Sequence, residues 1–273
     1  MLSPLSHSSG IFLLFALSGA VTACDTGLGL GGTEVVKGCN AEAQTCIPSS
    51  RAVYAYAEAY PDSDSEVSIS LASSPWHLYG PDGRMMQVEE LAAVIRPHIN
   101  EATERVVLLG SWTGGGDRPL AQRLSKALDG MPVLGADGFL WLSPDGSTRL
   151  TKQAYTARNG SGYYEVAEGD EVLVPLAHGW AAGMEQRFID GGDAELLLHA
   201  AIGWDVFYLC REKALDGFEL AAEHGVAIAA YNAALMRIER NEEGDRAAAR
   251  RLLEQAASQG DTKSRDLLAE MND

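Results

Sequence analysis

Residues 106–128 read VVLLGSWTGGGDRPLAQRLSKAL, and the fold turns on what this stretch is. Val106 to Leu109 form a short, wholly apolar run, the pattern of a strand buried on both faces. Small residues follow from Gly110 to Gly116, and then Leu120, Leu124 and Leu128 recur at helical spacing. A strand feeding a helix through a glycine-rich turn is a frequent seat of phosphate binding or hydrolysis. The turn residues exclude three such sites. A phosphate-binding loop needs a lysine that reaches the phosphates, and nothing after Gly110 supplies it. Gly110, Gly114, Gly115 and Gly116 lack the spacing of a dinucleotide fingerprint. A G-x-S-x-G elbow would centre on Trp112, which is no nucleophile.

Outward from this unit the chain alternates strands and helices. EVSISLA (66–72) has period two, and WHLY (76–79) is a short apolar run. MQVEELAAVIRPHI (86–99) places Val88, Leu91, Ala92 and Ile95 on one helical face. MPVLGA (131–136) supplies another strand, and FLWLSPDGSTRL (139–150) reads as a hairpin about Pro144-Asp145-Gly146. YYEVAEGDEVLVPLA (163–177) adds a hairpin at an edge. This order predicts a three-layer α/β domain over 53–189, with a small parallel-type sheet and right-handed crossovers.

From about Asp190 the pattern becomes all helix. Residues 220–236 lie over 255–271 at an offset of 35, matching Ala221-Ala222 to Ala256-Ala257, Gly225 to Gly260 and Met236 to Met271. Upstream, Ala214 matches Ala249 and Phe218 matches Leu253. EGDRAAARRLLEQAASQGD resembles Sel1-like repeats, relatives of the tetratricopeptide repeat. That resemblance implies packed antiparallel helices presenting a face to another protein, with both glycines ending helices in left-handed geometry. Two units are few for a free-standing solenoid, so residues 190–273 are expected to dock on the α/β part.

The segments WHLYGPDGRMM and VVLLGSWTG resemble caspase-like cysteine peptidases of the self-processing toxin and CHAT-type branches. In that family one strand ends in His-Gly, and the next parallel strand ends in a small residue before the nucleophilic cysteine. Here Tyr79 stands at the histidine position and Ser111 at the cysteine position, so the resemblance implies a catalytic scaffold whose reactive pair is substituted. An unaided serine stays protonated at neutral pH and attacks poorly. His77, two residues before Tyr79, and His178 are the candidate bases if Ser111 is a nucleophile. Otherwise Ser111 is a relic, and its replacement by alanine removes only a turn hydroxyl. Tyr79 and Trp112 are the candidate binding residues. His98, His199 and His224 lack zinc-site spacing, and Asp62, Asp64 and Glu66 lack the glycine and terminal glutamate of an EF-hand loop, so no metal or cofactor is expected.

The amino-terminal 24 residues carry no Lys, Arg, Asp or Glu, and Ile11 to Val21 form an apolar run too short to span a membrane. The run ends in Val21-Thr22-Ala23-Cys24, which resembles a bacterial lipobox. That implies a signal peptide over 1–23, acylation of Cys24 (palmitate-type chains) and a glycine-rich tether over 24–52 in the bacterial cell envelope, facing the periplasm. In an exported chain Cys39 and Cys46 are expected to close a local disulfide, leaving Cys210 over. A net charge of −17, from 38 acidic and 21 basic residues, repels nucleic acid. The expectation is a non-enzymatic, membrane-anchored envelope lipoprotein that binds another protein through helical repeats and a degenerate caspase-like domain, as an assembly factor or toxin-immunity partner. The alternatives are a serine-type hydrolase and a binding module with a small ligand near Trp112.

Overall fold

The computed structural model describes residues 59–143, 145–151, 172–174, 188–189, 191–206 and 209–271. Signal peptide, tether, Cys24, Cys39, Cys46 and His178 lie outside the described residues. The chain is mixed α/β, and the strands among the described residues fall into three small sheets.

The first sheet holds β1 (Glu66–Ser70), β5 (Arg105–Leu109) and β6 (Val133–Leu134), all parallel, with β5 central. Its crossovers carry α1 (Val88–Ile95) and α2 (Leu120–Ala127). Both crossovers step the same way across the sheet, so right-handed connections bring both helices to one face. The expected apolar positions face inward: Val88, Leu91, Ala92 and Ile95 of α1, and Leu120 and Leu124 of α2, with Leu128, pack with Val106 and Leu108. The other face, Val107 and Leu109, packs with Leu140 and Leu142.

Leu140 and Leu142 belong to β7 (Phe139–Leu142), centre of an antiparallel sheet with β8 (Thr148–Thr151) and β9 (Val172–Val174). The hairpin about residues 143–147 forms as its sequence predicts. Asp145 Oδ1 accepts hydrogen bonds from the Ser147 amide and hydroxyl at 2.9 and 2.7 Å. The layer behind the parallel sheet is therefore a second sheet.

The third sheet alters the sequence reading. β3 (Leu78–Tyr79) is antiparallel to both β2 (Ala72–Ser73) and β4 (Met85–Met86). Tyr79 thus does not end the parallel strand beside β5; that strand is β1. The expected pairing of residues 79 and 111 at adjacent parallel strand ends does not form. The reason is the turn at 80–84, where the Gly80 amide bonds the Arg84 carbonyl at 2.8 Å and folds β3 back on β4.

The helical part runs through α3 (Glu195–Val206), α4 (Arg211–Glu223), α5 (Ala227–Arg240), α6 (Asp245–Ser258) and α7 (Thr262–Glu270), each packed on the next. The 35-residue offset is visible in the packing: Ala214 and Ala249, Phe218 and Leu253, Ala221 and Ala256 are all completely buried. The caps repeat too. Gly225 has φ +90° and Gly260 φ +97°. In both, the glycine amide and the next amide bond carbonyls three and five residues back (Gly225 to Ala222, Val226 to Ala221; Gly260 to Ala257, Asp261 to Ala256), closing Schellman turns.

Gly225 and Gly260 face open space, so alanine there meets only the backbone penalty of left-handed geometry. Each substitution is expected to cost roughly 1 kcal/mol, lowering Tm by about 2–4 °C in calorimetry. Gly114→Ala should cost about 3 kcal/mol or more, because its new Cβ would lie 2.4 Å from the Gly135 carbonyl oxygen.

Candidate functional site

The turn after β5 spends its polar groups on internal bonds. Ser111 is completely buried; its Oγ accepts the Leu140 amide at 3.0 Å, and its carbonyl accepts the Ser73 hydroxyl at 2.7 Å. Thr113 Oγ1 accepts the Ala136 amide at 3.0 Å and donates to the Gly110 carbonyl at 3.2 Å. The Gly114 amide donates to the Ala136 carbonyl at 2.7 Å. The small residues serve close approach: a Cβ on Gly135 would lie 2.7 Å from the Gly114 nitrogen. The turn is a staple between the parallel sheet and the chain leading into β7.

Trp112 adopts φ +61°, a conformation that bulky residues rarely take. Its amide donates to the Gly138 carbonyl at 2.8 Å, and its ring meets Phe139 edge-on at 5.5 Å between centroids. It is 3% exposed. The expected binding role for Trp112 therefore gives way to a core role, because backbone bonds on both sides of it turn the indole inward.

His77 sits elsewhere, in a buried charged cluster between β3 and the helices. Its Nδ1 is 2.9 Å from Asp205 Oδ2 of α3, and its Nε2 is 3.0 Å from Glu239 Oε2 of α5. Tyr79 donates its hydroxyl to the same Asp205 oxygen at 2.9 Å. The Ser74 hydroxyl oxygen accepts the His77 amide at 3.0 Å, fixing the strand entry. Two carboxylates on one imidazole require both nitrogens to donate, which makes the ring a cation. Burial alone would lower its pKa; the charge and hydrogen bond of Asp205, then those of Glu239, override this and hold it at about 9. Burial likewise pushes the Asp205 and Glu239 carboxyls up, but His77 outweighs it and both lie below the usual range. Burial and the Asp205 charge raise the Tyr79 phenol well above its ordinary value. His77 has no free ring nitrogen to offer Ser111, and at neutral pH it is an acid, not a base. The proposed Ser111–His77 pair is not brought together.

Neighbouring contacts clasp the same loop. Asn232 of α5, completely buried, accepts the Met85 amide at 2.8 Å and donates to the Gly83 carbonyl at 2.9 Å. Arg84 pairs with Asp261, the N-cap of α7, and lies over the Tyr231 ring at 4.9 Å. The helical part docks on the α/β part through residues 77–86.

Beside this cluster lies a cleft of about 680 Å³ between α1, α2 and α5. His77, Trp76 and Glu239 contribute to its lining, and Arg118, Arg123 and Lys126 stand along the α2 side. Arg123 donates to the Trp76 carbonyl at 2.9 Å, and Arg211 lies over the Trp76 ring at 5.5 Å. A smaller cavity of about 300 Å³ is lined by Tyr79, Gly80, Leu71, Leu91 and Ile202. Tyr79 thus borders a cavity, but its hydroxyl is engaged with Asp205. Among the described residues no three His, Cys, Asp or Glu side chains group in a metal-holding arrangement.

Cys210, expected to be left over, is disulfide-bonded and 1% exposed. Its partner lies outside the described residues. The chain has three other cysteines, so within one chain an acylated Cys24 and a Cys39–Cys46 bridge cannot both accompany it.

A family model described as a domain of unknown function (DUF8616) matches residues 42–150. No curated protein and no solved structure matches the chain. The matched stretch contains the parallel sheet, His77, Tyr79 and the cations of the cleft; Asp205 and Glu239 lie beyond it.

His77 carries a specific pH signature. Its folded pKa, about 9, exceeds its ordinary 6.5, so its stabilisation is full below pH 6.5 and lost as pH rises through 9. The loss should total on the order of 3 kcal/mol, read as a falling urea midpoint at constant m. In His77→Gln that alkaline decline should disappear. A wild-type midpoint that stays flat across this window would refute the charged histidine.

Proposed function

We propose that the chain is a non-enzymatic, lipid-anchored protein of the bacterial cell envelope, facing the periplasm, that binds another protein. One observation carries the non-enzymatic part: the Ser111 hydroxyl is wholly buried and holds the Leu140 amide, while both His77 nitrogens are held by carboxylates. A nucleophile needs access and a base, and this serine lacks surface to meet a substrate. The likeness to caspase-like peptidases then rests on the strand–turn–helix of 106–128, a scaffold used for joining layers rather than for chemistry. The Sel1-like reading draws support from the matching caps at Gly225 and Gly260 and the matching buried alanines.

Anchoring rests on VTAC at residues 21–24. The attachment proposed is acylation at Cys24. Cys210 is then paired with Cys39 or Cys46. Nucleic acid is no partner for this charge.

Cys24→Ser is expected to shift the protein from the membrane to the soluble periplasmic fraction on cell fractionation. Tight membrane association after the substitution would remove the lipid anchor. A fluorophosphonate probe should leave Ser111 unmodified by peptide mass mapping; stoichiometric labelling there would make the protein a hydrolase. Ser111→Ala, expected from sequence to be nearly silent, should instead cost about 1–3 kcal/mol, because it strips the buried Leu140 amide of its acceptor.

A further inference from the structure

We infer that the cleft between α1, α2 and α5 is the docking groove for an acidic amphipathic helix of the partner protein, which rests on the protein-binding reading above. The groove is open to solvent, and its apolar lining comes from Met85, Met86, Val88, Ala92, Leu235 and Ile238. Ile238 is 37% exposed, an uncovered aliphatic side chain at the groove's edge. A channel walled by three helices fits the apolar face of a fourth.

Charge names the occupant. The chain has 21 basic residues against 38 acidic ones, yet Arg96, Arg118, Arg123 and Lys126 all line this one cleft. Arg96 is paired with Asp129 and Arg123 is held by the Trp76 carbonyl. Arg118 and Lys126 are exposed and have no carboxylate within ion-pair distance among the described residues. Two acidic groups also face the cleft. Glu239 is committed to His77 and Arg211, and Glu89 stands on the α1 side. Arg123 and Lys126 are three apart on α2 and share a side of that helix. A row of cations beside an apolar floor complements a helix with a leucine face edged by carboxylates. A basic partner would meet the same row as repulsion.

The test uses the full-length chain in nonionic detergent and two 15-residue helical peptides with one leucine face, edged by Glu in one and Lys in the other. Calorimetry should show binding of the Glu peptide and none of the Lys peptide. Raising salt from about 50 to 500 mM should weaken binding, since exposed pairs are screened. Arg118→Glu with Lys126→Glu, both surface changes, should weaken the Glu peptide at least tenfold at unchanged Tm. No binding, equal binding of both peptides, or indifference to the double variant would overturn the groove. So would self-association lost in the double variant, which assigns the groove to a second copy, or binding of anionic vesicles in place of the peptide. Ser111 labelling is read separately, so failure of the groove and failure of the non-enzymatic reading remain distinct.

Discussion

A single buried cation decides how the two parts of this chain meet. Asp205 has no exposed surface, and a carboxylate so placed without a counter-charge would cost several kcal/mol. His77 supplies that charge, and Glu239 shares it from a second helix. Helices α3 and α5 are therefore tied to residue 77, and through it to the loop that carries β3 and β4. Asn232 and Arg84 fix the same loop with backbone bonds and a second ion pair. Apolar packing of alanine-rich helices is poorly directional; these polar contacts select one seat among many.

The same economy explains the glycine-rich turn. Its residue types invite a catalytic reading, but its polar groups are spent on residues 135–140, on Ser73 and within the turn itself. Glycine is needed at 114 and 135 because two backbones pass too closely for a side chain. Close approach and catalysis both favour small residues at strand ends, and composition alone does not separate them.

Much of the local structure was legible. Period and turn chemistry located β1, α1, β5, α2 and the β7–β8 hairpin, and the 35-residue offset placed Gly225 and Gly260 where left-handed caps occur. Strand partners were not legible. WHLY reads equally as a parallel or an antiparallel strand, and only the tight return at Gly80 makes it antiparallel. The charged cluster was half legible. His77 stood out, but as a base for Ser111. The missing signals were Asp205, alone among the apolar residues that end α3, and Asn232, within an alanine-rich run of α5. A polar residue on a face that must be buried demands a partner, and that demand points to residues 77–86. That Cys210 is bonded rather than left over was not legible, because sequence separation does not show which cysteines the fold brings together.

Helix α5 joins the buried cluster to the cleft, and this geometry orients whatever binds there. It sends Asn232 inward to β4, Glu239 to His77, and Leu235 and Ile238 to the cleft lining. Glu239 is the exposed member of the charged triad, with 43% of its side chain open, whereas Asp205 is sealed. Glu239 is already neutralised by His77 and Arg211, so the cations left to attract carboxylates of the proposed ligand are Arg118 and Lys126 on the α2 side. The ligand's apolar face is left against Leu235 and Ile238. The interaction that holds the two parts together thereby also sets the polarity of the surface between them.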